Sequence, residues 1–212
     1  MKELNYNIVL VLSGLTPAFF SKPRLTKHGI CQEKDINGPG AIFSTQLVQV
    51  TTSDILFLAT AGRVQIRALS QKSETVMVSI AEKLKDMLPN DAISAVGFNY
   101  IIGVDVANVA QYSRKNFMPG TPRNNALHRE FDKENCTARL IIQRDYDECR
   151  LFLDIRTQAS TAGDDGKDVA GVIQYNFNFH FDASTKPMPE FTEACWKHWR
   201  TEAERIASLL EV

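Results

Sequence analysis

The chain has 212 residues, 44% hydrophobic and 23% charged, with 24 Lys and Arg against 25 Asp and Glu for a net charge of -1. This is ordinary globular usage, long enough for one domain or two small ones around a sizeable core. The neutral balance argues against a dedicated nucleic-acid binder, whose affinity rests largely on phosphate neutralisation, although it leaves a local basic patch open.

The opening residues, Met1 to Asn7, lack a positively charged n-region, and Ala18-Phe19-Phe20 is a poor cleavage site, so no signal peptide is expected. The apolar run Ile8 to Leu12 is too short for a membrane span and rich in β-branched residues, which predicts a first strand over residues 5–12. Gly14 and Pro17 break it, and a short helix is expected within 17–30, ending at Gly29. Asn37-Gly38-Pro39-Gly40 is a turn. Strands follow at 41–50 and 54–60. After Gly62 comes a third, with Val64, Ile66 and Ala68 on one face and Arg63, Gln65 and Arg67 on the other.

A helix is expected over 74–88, with Ser73 as N-cap and Val76, Ile80, Leu84 and Met87 on its apolar side. Residues 93–104 read as a strand. Residues 106–135 are polar and weakly periodic, with Thr121-Pro122 as a helix start, and a connection that long is usually functional or mobile. Two further strands, 137–144 and 149–157, flank the acidic turn Asp145-Tyr146-Asp147-Glu148, and a last strand covers 169–182. The closing helix, 189–210, carries Trp196, Trp199, Ala203, Ile206 and Leu210 as one stripe, for packing on the sheet or for a dimer seam. The order predicts an α+β fold: a mostly antiparallel sheet of about 7–8 strands with two main helices, in one domain, the alternative being a two-lobed chain divided near 106–135.

Phe98-Asn99-Tyr100 and Tyr175-Asn176-Phe177 share a pattern, each with an Asp seven positions after the first aromatic. It reads as a relic of duplication, as two equivalent strands, or as coincidence, because alternation alone favours such strings.

The strand 171–182 carries the candidate ligand-binding residues: Gln174, Asn176, Asn178, His180 and Asp182 share one face, opposite Ile173, Tyr175, Phe177, Phe179 and Phe181. A row of amides ending in His and Asp can bind a ligand through directed hydrogen bonds. The polar side of an antiparallel sheet accounts for the same pattern. His180 and Asp182 resemble a hydrolase pair, yet no G-x-S-x-G elbow is present, so no catalytic residue is assigned. Cys31, Cys136, Cys149 and Cys195 form no C-x-x-C pair and are expected as free thiols in a reducing cytoplasm. His128 with Cys136 and Cys149 fits no zinc module, and Gly163 to Lys167 is neither a P-loop nor part of an EF-hand, so neither metal nor cofactor is expected. Tyr112, Arg114, Lys115, Phe117 and Arg123 form a second candidate, a basic and aromatic loop for a protein partner or a nucleic-acid strand.

Gly97-Phe98-Asn99-Tyr100-Ile101 after a helix, Leu151-Phe152-Leu153-Asp154-Ile155, and a closing helix after a further strand are similar in order to a sporadically distributed group of bacterial proteins with no assigned reaction. The resemblance covers the second two-thirds of the chain and implies a bacterial or phage origin. The functional expectation is a non-enzymatic accessory, regulatory or inhibitory subunit that binds another protein, with a homodimer also open. The alternatives are a small-molecule or nucleotide sensor or enzyme on the 171–182 face and a nucleic-acid binder through 106–135.

Overall fold

The computed structural model describes residues 2–89, 91–117, 139–159 and 170–209. In chain order the elements are β1 (Lys2–Leu12), a 3-10 turn (Pro17–Phe19), α1 (Lys22–Lys27), α2 (Glu33–Ile36), β2 (Ile42–Phe43), β3 (Val48–Thr51), β4 (Ile55–Thr60), β5 (Arg63–Ala68), a second 3-10 turn (Gln71–Ser73), α3 (Glu74–Met87), β6 (Ile93–Val106), α4 (Val109–Phe117), β7 (Leu140–Asp145), β8 (Arg150–Ala159), β9 (Gly171–Asp182) and α5 (Glu193–Ser208). The strands join in one antiparallel sheet of nine, ordered β2-β3-β4-β5-β1-β6-β9-β8-β7.

Period-2 alternation sends one set of side chains to a single core. Ile8 and Leu10 of β1, Phe98 and Tyr100 of β6, and Tyr175, Phe177, Phe179 and Phe181 of β9 are buried there. The described helices all pack on this same side. Leu25 of α1 and Ile36 of α2 enter the core beside Phe57 of β4, α3 lies on β1 and β5, α4 on β8 and β9, and α5 on β6 and β9. Trp196 stacks on Tyr100, with ring centroids 4.3 Å apart, and Trp199 lies 4.8 Å from Phe179. Both tryptophans therefore serve packing within the chain. No described helix is long and apolar enough to cross a membrane.

The strand order has an internal symmetry. Outward from the β1·β6 pair, one side reads β1, β5, β4, β3 and the other β6, β9, β8, β7. Each half runs as a strand, a helical segment, a three-strand meander and a long helix. The topology is thus a β-α-βββ-α unit used twice about an approximate two-fold axis, with β2 as an addition to the first half. Tyr6-Asn7-Ile8 and Phe98-Asn99-Tyr100 take matching places across it, since Tyr6 pairs with Tyr100, Asn7 with Asn99 and Ile8 with Phe98. The counterpart of Phe98-Asn99-Tyr100 is therefore on β1, and β9, which carries Tyr175-Asn176-Phe177, is the neighbour of β6 in the sheet.

Several expectations need correction. The sheet has nine strands instead of 7–8, because the stretch 41–50 divides into β2 and β3 at a turn where Ser44 Oγ accepts from the backbone N–H groups of Gln46 and Leu47. The stretch 106–135 begins as helix α4, which Asn108 caps by accepting from the Gln111 N–H at 2.8 Å; the proposed start at Thr121-Pro122 lies outside the described residues. Ser73 makes no side-chain cap and instead donates to Asp54. Val76 is 38% exposed, because Met77, Ile80, Ala81 and Leu84 form the inward stripe of α3. The last helix begins at Glu193, where Thr192 Oγ1 accepts from the Cys195 N–H. Gly29, at φ +63, follows the end of α1 as expected, and Gly62, at φ +68, makes the β4–β5 turn.

One buried polar contact ties the two long helices together. Glu74 of α3 accepts from Trp196 Nε1 at 2.6 Å and from Arg200 at 2.8 Å, and Arg200 also reaches Glu204. Glu74 is buried, so removing its carboxylate strands a buried indole N–H and half of a guanidinium. Glu74→Ala should cost about 3 kcal/mol in urea denaturation, whereas Glu193→Ala, which breaks only the exposed pair with Lys197, should cost under ~0.5 kcal/mol. Equal losses would show that the Glu74 contact contributes no more than a surface pair.

Candidate functional site

With the described helices on one side, the other face of the sheet carries the polar residues of each strand. On β9 these are Gln174, Asn176, Asn178, His180 and Asp182, which alternate with buried neighbours and are themselves half-buried. The five expected site residues therefore do share a face. The sheet adds partners from other strands. Asn178 lies opposite Asn99, Asn99 opposite Asn7 and Asn7 opposite Arg67, so three asparagines and an arginine form one row across β9, β6, β1 and β5.

The row is bonded in part. Asn99 Nδ2 donates to Asn7 Oδ1 at 3.1 Å and to the Gly97 carbonyl at 3.3 Å, and Asn7 Nδ2 donates to Asn5 Oδ1 at 3.2 Å. A Cβ at Gly97 would lie 3.3 Å from Asn178 Oδ1 and 3.5 Å from Asn99 Nδ2, so glycine there makes room for both amides. Asn176 Oδ1 and Asn178 Oδ1 are buried and accept no hydrogen bond. A buried acceptor without a donor is costly, and these two are enclosed by the chain itself, as is the unmet Trp199 Nε1 on the core side.

The centre of this face is uncharged: Asn7, Val9, Gly97, Asn99 and Ile101. Apolar side chains continue outward as Leu56 and Leu58 on β4 and Phe152 on β8. Ile42, Val11 and Ile141 are exposed large hydrophobics, and strand alternation puts all three on this face. Charges keep to its margins. Asp154 accepts two 2.7 Å bonds from Arg139 and a third from Arg156, and these hold its carboxyl down at about 2. Arg63 and Arg67 have no ion-pair partner among the described residues.

At one end lies a hollow of about 250 Å³ lined by Asp145, Arg150, Phe152, His180, Asp182 and Lys186. Its charged groups are already engaged. Arg150 donates to Asp145 at 2.6 Å, Lys186 donates to the Tyr146 and Asp147 carbonyls, and Asp182 accepts from the Ser184 N–H and hydroxyl, which holds its carboxyl below the usual range. His180 meets the Phe152 ring edge-on, and Asp182 is turned to Ser184, so the two do not form a catalytic pair. Burial raises the Cys31 and Cys149 thiols to about 12, which makes both poor nucleophiles and poor metal ligands. Among the described residues no three His, Cys, Asp or Glu side chains gather as a metal site.

The second candidate divides differently. Tyr112 of α4 turns inward, its hydroxyl 2.7 Å from that of Tyr175, and Phe117 packs beside it, so neither ring is presented for base stacking. Lys115 is exposed, Arg114 lies on α4, and Arg123, His128 and Cys136 fall outside the described residues. Sequence reasoning missed Asn7, Gly97 and Arg67 as companions of Asn178. The available signal was the shared Tyr6-Asn7-Ile8 and Phe98-Asn99-Tyr100 pattern, which only strand pairing makes adjacent. Comparison with protein-family models, with curated proteins and with solved structures finds no match.

Because its folded pKa is depressed, Asp154 stabilises the fold above its unfolded value of about 4. That contribution is lost as pH falls toward about 2. Thermal melts should show wild type above Asp154→Asn at neutral pH and the two converging between about pH 4 and pH 2. A gap that stays constant down to the acid end would mean that the Arg139–Asp154–Arg156 contact is not its source.

Proposed function

We propose that this chain is a non-enzymatic protein-binding subunit, accessory, regulatory or inhibitory, and that it docks through the face of its sheet that the described helices leave open. The observation that carries the reading is the composition of that face: an uncharged centre, an apolar surround and charged groups, arginines among them, at the margin. Protein interfaces concentrate apolar groups and arginine and keep charge out of their cores. A nucleic-acid face would instead carry a cationic stripe. A small-molecule site would bury most of its ligand in a cleft, whereas the concavities at the two ends of this face are a 250 Å³ hollow already crossed by the Arg150–Asp145 pair and the Lys186 hydrogen bonds and an open one of about 370 Å³ beside Asp105 and Val172. The bacterial or phage setting rests on the sequence resemblance.

The test is native mass spectrometry on the protein purified at native expression level. Wild type should run in a stoichiometric species larger than the single chain. The paired substitution Val11→Arg and Ile141→Arg, at exposed positions of the open face, should reduce it to the single chain. Val76→Arg, at an equally exposed apolar site on α3, should leave the species intact. A wild-type protein that runs as a lone chain, or a species indifferent to the open-face pair, overturns the proposal.

A further inference from the structure

Three features of the open face make it complementary to itself. The first is extent. Six adjacent strands, β4, β5, β1, β6, β9 and β8, lie three on either side of the centre, and at about 4.8 Å per strand and about 3.3 Å per residue, ten residues of β1 and β6 and six of the others overlap over roughly 700 Å². A standard stable interface buries about 800 Å² on each partner. The second is the placement of charge. Arg63 pairs with Val11, Val11 with Ala95 and Ala95 with Asp182, so the cation on β5 and the anion on β9 share a row at equal distances from the β1·β6 centre. The third is the placement of amides. Arg67, which has no ion-pair partner among the described residues, shares a row with Asn7, Asn99 and Asn178, so the guanidinium and the Asn178 amide stand at equal distances from the β1·β6 centre.

We propose that the open face seats a second copy of this chain, face to face, about a two-fold axis running along the strands midway between β1 and β6. The inference rests on the docking-face reading and names its partner. Such an axis turns the β5 side of one copy over the β9 side of the other. Arg63 then stands near the partner's Asp182, and the partner's Arg63 near Asp182. Arg67 comes over the partner's Asn178. Leu56 meets the partner's Phe152. Packed sheets cross at about 30°, which offsets the rows progressively from the centre, and the long guanidinium of Arg63 spans the offset.

The experiment is sedimentation equilibrium on the purified chain alone. Wild type should sediment at twice the mass of the chain. Arg63→Asp sets two like-charge contacts across the axis, and so does Asp182→Arg; each should weaken the dimer at least tenfold. An equimolar mixture of the two variants should recover wild-type affinity, because both contacts in the mixed dimer again join opposite charges. Thermal melts within a few degrees of wild type confirm that each variant is folded, and if loss of the Ser184 contact unfolds Asp182→Arg, then Asp182→Asn replaces it, with a weaker dimer and no rescue as the expected result. A chain that stays single, or a dimer indifferent to both substitutions and to mixing, overturns the second copy as occupant. If the Val11→Arg and Ile141→Arg pair nevertheless strips a different stoichiometric companion, the docking-face reading survives while this one fails; if it strips nothing, both fail.

Discussion

β1 and β6 lie side by side at the centre of the sheet, in a ladder that runs from Lys2 opposite Gly103 to Leu12 opposite Ile93. Their alternation directs Tyr6, Ile8, Phe98 and Tyr100 toward the helices and Asn7, Val9, Gly97 and Asn99 toward the open face. Because the side-chain period is two, a slip of one residue would exchange these sets, bury asparagine against Trp196 and expose the aromatic rings. The pairing also joins the halves of the chain. It makes one sheet of two meanders and brings α3 and α5 close enough for Glu74 to accept from Trp196 and Arg200.

The placement of the described helices on a single face follows from the same alternation. The rings on β6 and β9 offer α5 a continuous apolar bed, and the indoles of Trp196 and Trp199 fill it. The opposite face has too many amides to serve as a second core for an apolar helix. Burying a row of asparagines is favourable only against a surface that returns their hydrogen bonds.

Four carboxylates among the described residues are held by internal partners: Asp182 by Ser184, Asp145 by Arg150, Asp154 by Arg139 and Arg156, and Glu202 by Arg205 and Tyr146. A carboxylate held near about 2, as Asp154 and Glu202 are, is a weak base at neutral pH.

Alternation made much of this legible from residue order. The two faces of residues 63–68 and 171–182 follow from their period, as do the two long helices and the class of the fold. The helix at Val109 was hidden because its polar residues mask a short apolar side, and Asn108 was its one clear signal. Long-range pairing was not legible at all. Asn7 and Asn99 are separated by 92 positions, and nothing local places them in contact. The sequence by itself determined which side chains share a face, because that depends only on the geometry of a single strand. Only the tertiary structure decided that Arg67, Asn7, Asn99 and Asn178 form one row and that Arg63 and Asp182 stand symmetrically about the centre. Strand order and register are settled by the burial of distant apolar groups against one another, and no window of neighbouring residues contains that sum.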